Sequence, residues 1–441
     1  MEQIQRLPAE EALRRALHDE IHARPPAQIP VPARVRLVAV LNNGLSPSQE
    51  LAHLRTLPGQ ADLPDLAVVS NFLSIDLGSS TLLWERHSEF SRYSVISPMF
   101  SGGTTTAAED AGVIGDDWIR AIPGPMFAAI ELQLMEGPLE PWADALATAQ
   151  ACFGASQTTA SLLGQGHSLA MTDFQIREDG YEHFVVILPP GASSGRAGRV
   201  SQRLLELEVY RLMALRGLPV AKLISPLLNE CERQLAELTA ALEARSVGEA
   251  ALLDQLIHLA AQVERATAEH SFRFGATRAY AGLVDQRLRE LRERPIAGTR
   301  MLGDYLMRRL TPAFATVYAA ERRLAELSER IARASALLRT RVDIATEAQN
   351  QRLLEGLHQG QALQLQLQST VEGLSIAAIS YYVVSLLLYG GKALKASGWG
   401  LFNPELFAGI VMPLVLFLVW RATRRVHARL SSTTEHQARS R

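Results

Sequence analysis

From Arg34 to Leu188 the chain is built of short apolar runs, rich in β-branched and aromatic residues and broken by glycine, asparagine and proline. That pattern predicts strands in RVRLVAVL (Arg34 to Leu41), LAVVSNFLSIDLG (Leu66 to Gly78), TLLWERHSEFSRYSVI (Thr81 to Ile96) and MFAAIELQLM (Met126 to Met135). HSLAMTDFQI and EHFVVIL flank the turn REDGY, which predicts a hairpin. Helical spacing interrupts the strands, as in SPSQELAHLRTL, where Ser46 is placed to cap a helix with Pro47 in its first turn. Hairpins interleaved with helices point to an α+β or three-layer domain over residues 1–190 rather than a regular doubly wound sheet.

After PPGASSGRAG (Pro189 to Gly198), a linker of glycine, proline and serine, apolar residues recur every three or four positions. Leu204, Leu207, Leu212 and Leu215 make one stripe; Leu227, Cys231, Leu235, Leu238 and Leu242 make another. RERPIAG (Arg292 to Gly298) separates two longer helices, and past Pro312 no proline occurs until Pro404. Leu324, Leu327, Ile331, Leu338, Val342 and Ala345 keep a heptad-like stripe set among Arg and Glu, which predicts a helical bundle and stalk over residues 199–373. A helix unbroken from Pro312 to Gly390 would be on the order of 110 Å long at the standard rise. Such a helix needs partners, first the preceding helices of the same chain and then a second copy.

Two charge-free stretches close the chain: Leu374 to Gly391 and, with Glu405 at its edge, Leu406 to Trp420. Each has about the minimum length for crossing the hydrocarbon core of a bilayer. They predict a two-helix transmembrane hairpin over residues 374–420, with spans at 374–391 and 405–420. The segment 421–441 carries six arginines, four of them within nine residues of Trp420, whereas the loop between the spans offers only Lys392 and Lys395. Basic residues stay on the cytoplasmic side. The expectation is therefore a multi-pass protein of the inner, cytoplasmic membrane, with both termini and a basic tail in the cytoplasm. The small residues Ala377, Ala378, Ser380 and Ser385 on the first span permit close helix contact and add to the expectation of a homo-oligomer.

Composition narrows the function classes. The 441 residues include 44 basic and 46 acidic ones, a balance that excludes a dedicated nucleic-acid binder. Cys152 and Cys231 form no C-x-x-C, so neither a disulfide framework nor a thiolate zinc site is expected. The N-terminus lacks an uninterrupted hydrophobic run and reads as no signal peptide, which leaves the N-terminal bulk in the cytoplasm.

Two stretches raise a question of chemistry. In HDEIHARPP, His18 and His22 lie four apart on a helix with Asp19 and Glu20 between them, near the H-E-x-x-H pattern of zinc hydrolases. Asp19 stands where that pattern has glutamate, its shorter side chain places the carboxylate differently, and no third ligand is spaced nearby. The preferred reading has Glu20, His22 and Arg24 hydrogen-bonded at a helix end that Pro25 stops. In WERHSEF, read as one strand, Trp84, Arg86, Ser88 and Phe90 face one way and Glu85, His87 and Glu89 the other. A Glu-His-Glu row suits a metal or acid–base chemistry, or else a structural salt-bridge network, and the network is preferred. Convergence of His22 and His87 on one cleft would make a credible site. Phosphate-binding glycine loops, the dinucleotide fingerprint and the nucleophile elbow are all absent from the sequence, so it shows no catalytic signature and calls for no cofactor or metal.

Six blocks, DEIHARPP, LLWERHSEFSRY, TDFQIREDGYEHF, LLELEVYRLMAL, LLRTRVDIATEAQNQRLL and QSTVEGLSIAAISYYVV, together resemble an uncharacterised bacterial family, domain of unknown function 3422, described as membrane-anchored. The resemblance spans almost the whole chain and implies no reaction, substrate or cofactor. Its pattern carries asparagine at the position of His18, which leaves Glu20, His22, Arg24 and Pro25 as matching residues, together with Trp84, Glu85, Arg86, His87, Glu89 and Phe90. The layout is also similar to that of CorA-type magnesium channels, but GGKALKASGWGLFNPE lacks their Gly-Met-Asn motif and puts two lysines at the mouth.

The fold expected is thus an α+β cytoplasmic domain followed by a long-helix bundle and stalk and a C-terminal two-helix transmembrane hairpin. The function expected is an oligomeric scaffold or sensor on the lipid bilayer. The alternatives are a CorA-like ion channel or transporter without that filter, and a membrane-tethered enzyme using His22, His87, Glu85 and Glu89.

Overall fold

The structure, a computed structural model, describes residues 11, 13–20, 27–65, 71–99, 114–244, 248–396 and 403–438. They divide into two compact units, residues 1–335 and residues 336–441.

The first unit is built on one eight-stranded sheet. In chain order its strands are β1 (Ala33–Leu41), β2 (Phe72–Asp76), β3 (Thr81–Arg86), β4 (Phe90–Pro98), β5 (Met126–Glu136), β6 (Thr159–Leu163), β7 (Ser168–Ile176) and β8 (Glu182–Leu188). They lie in the order β2-β3-β4-β1-β5-β8-β7-β6, antiparallel except for the central β5–β8 pair. Between them lie the helices α1 (Arg14–Glu20), α2 (Pro47–Leu54), α3 (Asp116–Arg120) and α4 (Trp142–Ala151). Five longer helices follow: α5 (Ser194–Leu215), α6 (Gly217–Ala244), α7 (Glu249–Leu291), α8 (Leu302–Ala396) and α9 (Pro404–Ala438).

Both faces of the sheet are covered, which is why its middle strands read as apolar runs rather than as alternation. One face, with Val35, Leu37, Ile130, Leu132, Phe184 and Val186, shares a core with Leu204 and Leu207 of α5, Val284 of α7 and Leu306 of α8. On the other face Val38, Val40, Leu82, Trp84 and Tyr93 pack on Leu54 of α2, while Val185 and Ile187 pack near Ala145 and Ala149 of α4. The three layers are therefore helix, sheet and helix. The β6 edge is closed by the segment between α7 and α8, through Leu162 N–H to Arg294 O (3.1 Å) and Arg294 N–H to Leu162 O (2.8 Å). A paired edge is no template for a further strand.

Four boundaries differ from the sequence reading. Thr81 to Ile96 is not one strand but the hairpin β3–β4, broken at His87–Glu89, so Phe90 faces the α5 side while Trp84 faces the α2 side. The linker is shorter than expected, because α5 already begins at Ser194. Gly198 lies in its first turns against Ala27, whose carbonyl oxygen is 1.7 Å from where a Cβ would stand. Finally, α8 begins at Leu302, ahead of Pro312, and α9 continues through the basic segment to Ala438.

The second unit holds residues 336–396 of α8 together with α9. Both helices contain a stretch long and apolar enough to cross a membrane, and only 6% of that stretch in α8 and 11% in α9 is buried. Ser380 of α8 and Ala408 and Val415 of α9 are buried.

Candidate functional site

The β3–β4 hairpin is held by charged side chains that face both layers. Its turn needs bonds that its own sequence does not supply, and Asn42, directly after β1, gives them: Asn42 Nδ2 donates to His87 O (2.8 Å) and Asn42 N to Glu89 O (3.1 Å). Within the turn His87 N–H donates to Phe90 O (2.8 Å), and the two rings stack 4.4 Å apart.

In the hairpin register Glu85 stands directly opposite Arg92, and their side chains pair at 2.5 Å on the α5 side. The pair continues into the helices. Arg92 Nη2 lies 3.5 Å from Glu206 of α5, Glu206 takes Arg287 Nε of α7 at 2.5 Å, and Arg287 reaches Glu290 at 2.8 Å. Glu85, Arg92 and Glu206 are buried, and a buried charge is tolerated only when paired. Burial alone would raise the Glu85 carboxyl, but the neighbouring His87 ring and the charge of Arg92 take it down to about 2. A cavity of about 40 Å³ adjoins the pair, lined among others by Glu85, Arg92, Ser94, Gly198, Ser201 and Gln202. That is room for only about three water-sized groups.

Two further pairs fasten the same hairpin. On the opposite face Arg86 Nη1 meets the fully buried Glu50 of α2 at 2.6 Å, and Ser91 Oγ donates to the same carboxylate oxygen at 2.8 Å. At the turn Glu89 accepts from Arg273 of α7 at 2.7 Å, and burial together with the Glu89 charge raises the nearby Tyr280 phenol. The block Trp84 to Phe90 is thus one hub touching three helices. Trp84 and Phe90 anchor it in the two cores, while Glu85, Arg86 and Glu89 each close an ion pair. His87 lies 3.6 Å from Glu85.

A second buried cluster lies farther along the sheet. Arg211 of α5 pairs with the fully buried Glu208 and, at 3.3 Å, with Glu182 of β8. Beside it Phe174 adopts φ +52° at a bulge in β7 and stacks on Tyr305 of α8 at 5.0 Å. Burial first, then the Glu208 charge, pushes the Glu182 carboxyl well above the usual carboxylate range. The sequence reading missed Glu50, Arg92, Arg273 and Arg287. Glu206 and Glu208 did leave a signal, as two acids inside the apolar run LLELEV.

Of the first block, α1 ends at Glu20, while His22, Arg24 and Pro25 lie outside the described residues, as does the side chain of Glu20. Among the described residues no group of three or more His, Cys, Asp or Glu is arranged to hold a metal ion. The charged groups of the hub are engaged with one another, an arrangement suited to fastening a fold rather than to activating a nucleophile.

No curated protein matches the chain. The family model described as a protein of unknown function, DUF3422, matches residues 9–430, and the chain belongs to that family.

Proposed function

We propose that this chain is an inner-membrane protein whose C-terminal helix pair spans the bilayer twice, carrying the sheet domain in the cytoplasm as an oligomeric scaffold or sensor. The observation that carries this reading is the second unit. Its two apolar stretches leave nearly all their side chains uncovered, with only 6% and 11% buried, and water is a poor solvent for Ile379, Leu386, Ile410 and Phe417 side by side. Lipid is a good one. The basic residues Arg421 and Arg425 follow the second stretch directly, and both termini then lie on the cytoplasmic side.

The scaffold or sensor role draws on the hub. A hairpin fastened by ion pairs to α2, α5 and α7 makes the sheet and its helices respond as one body. It is a rigid platform rather than an open catalytic cleft. A reporter fused after Arg441 tests the orientation. It should be active only as a cytoplasmic fusion, and activity of a periplasmic reporter at the same site would overturn the topology. Crosslinking in native membranes that captures only single chains would remove the oligomeric part.

A further inference from the structure

In the second unit α8 carries a seven-residue repeat. Leu353, Gly360, Leu367 and Leu374 occupy one position of it, and Leu357, Gln364, Val371 and Ala378 the other. Its leucines stand out into solvent: Leu353 is 61% exposed, Leu357 65% and Leu367 63%. Lipid does not account for these three, because they lie between Arg352 and Glu372, ahead of the charge-free stretch.

Two observations say what covers them. Arg352, Glu355, His358 and Glu372 are the acidic and basic residues between positions 350 and 391, and each falls on the side of the helix away from the stripe. The positions flanking the stripe are uncharged, among them Leu354, Gln361, Leu363 and Gln368. Two identical helices laid side by side in register therefore bring no like charges together. The second observation is where α8 is covered within its own unit. In the apolar stretch Ser380 is buried and Ile376, Val383 and Val384 are half-buried, all turned away from Leu374 and Ala378, while on the stripe side Ser385 is half-buried one repeat farther on. The stripe from Leu353 to Ala378 is thus left open by its own chain.

We infer that this stripe is a self-association seam, occupied by the same stripe of a second copy lying parallel and in register. The parallel arrangement rests on the membrane reading above, since two copies anchored at their C-terminal ends in one bilayer present their stalks in the same direction and at the same height. Gln364, a polar residue within the stripe, sets the register by pairing with its counterpart.

The test is disulfide crosslinking of the full chain in isolated membranes, with Cys152→Ser and Cys231→Ala as background. Leu353→Cys and Leu367→Cys, each taken alone, should form a species of two chains on oxidation, whereas Ser369→Cys on the far side should not. Self-crosslinking at both stripe positions requires parallel register. Equal yield at all three positions, no yield at any, or a product whose mass is not that of two chains would overturn the seam. An alkaline wash of the same membranes separates the two readings. Crosslinked pairs that wash off leave the seam standing and remove the anchor, while anchored chains that do not crosslink do the reverse.

Discussion

Removing the Arg92 guanidinium would leave the carboxylates of Glu85 and Glu206 buried beside each other without their shared cation. Stranding buried charges in this way costs about 3–5 kcal/mol, so Arg92→Met should lower the thermal unfolding temperature sharply, and an unchanged temperature would show that the pair contributes nothing. Glu85 also gives a pH signature. Its carboxyl is depressed from 4.5 to about 2, so its contribution is fully present above 4.5 and is lost as the pH falls from there toward 2. Unfolding temperature measured across that window should fall more steeply for the parent than for Glu85→Gln. Glu182 has the opposite sign. Its raised carboxyl becomes a growing penalty as the pH rises above the ordinary glutamate value, so Glu182→Gln should gain stability over the parent at alkaline pH and show no gain in acid. The residue types of the hub were legible in WERHSEF, as was its character as a salt-bridge network. Its partners were not, because Glu50, Glu206 and Arg273 stand far from it in the chain and only the packed fold brings them near.

Local chemistry announced most of the elements. Ser46 caps α2 as its sequence suggests, accepting from Gln49 N–H while the Gln49 side chain accepts from Ser46 N–H, and Ser46→Ala should cost about 1 kcal/mol. The β7–β8 hairpin follows the turn signal REDGY. The β3–β4 turn is hard to see in the sequence because His87, Ser88 and Glu89 hold no Gly, Pro, Asn or Asp, only the weaker turn former Ser88, and two of the bonds that fix it come from Asn42. The start of α5 was hidden by the opposite bias, since Gly195 and Gly198 look like linker. Gly198 is there for proximity. A Cβ would meet the Ala27 carbonyl oxygen at 1.7 Å, so Gly198→Ala should destabilise the first unit by about 1–3 kcal/mol in denaturant titration, whereas Gly248→Ala, with nothing within 4 Å, should change little.

At the scale of the molecule, the sequence and the structure agree on an N-terminal sheet domain, long helices and a closing pair of apolar helices. That much was legible because long charge-free runs and a change of period from strands to helices are among the strongest patterns a chain carries. What sheet order and core composition add is that α5, α7 and α8 share one core with the sheet, which no local pattern reveals. Where the closing pair resides decides what the sheet domain is attached to. The most direct measurement is extraction of membranes from cells making the full chain: it should stay in the pellet through an alkaline carbonate wash and come off only with detergent. Release by the wash alone, or recovery in the soluble fraction without detergent, would contradict it.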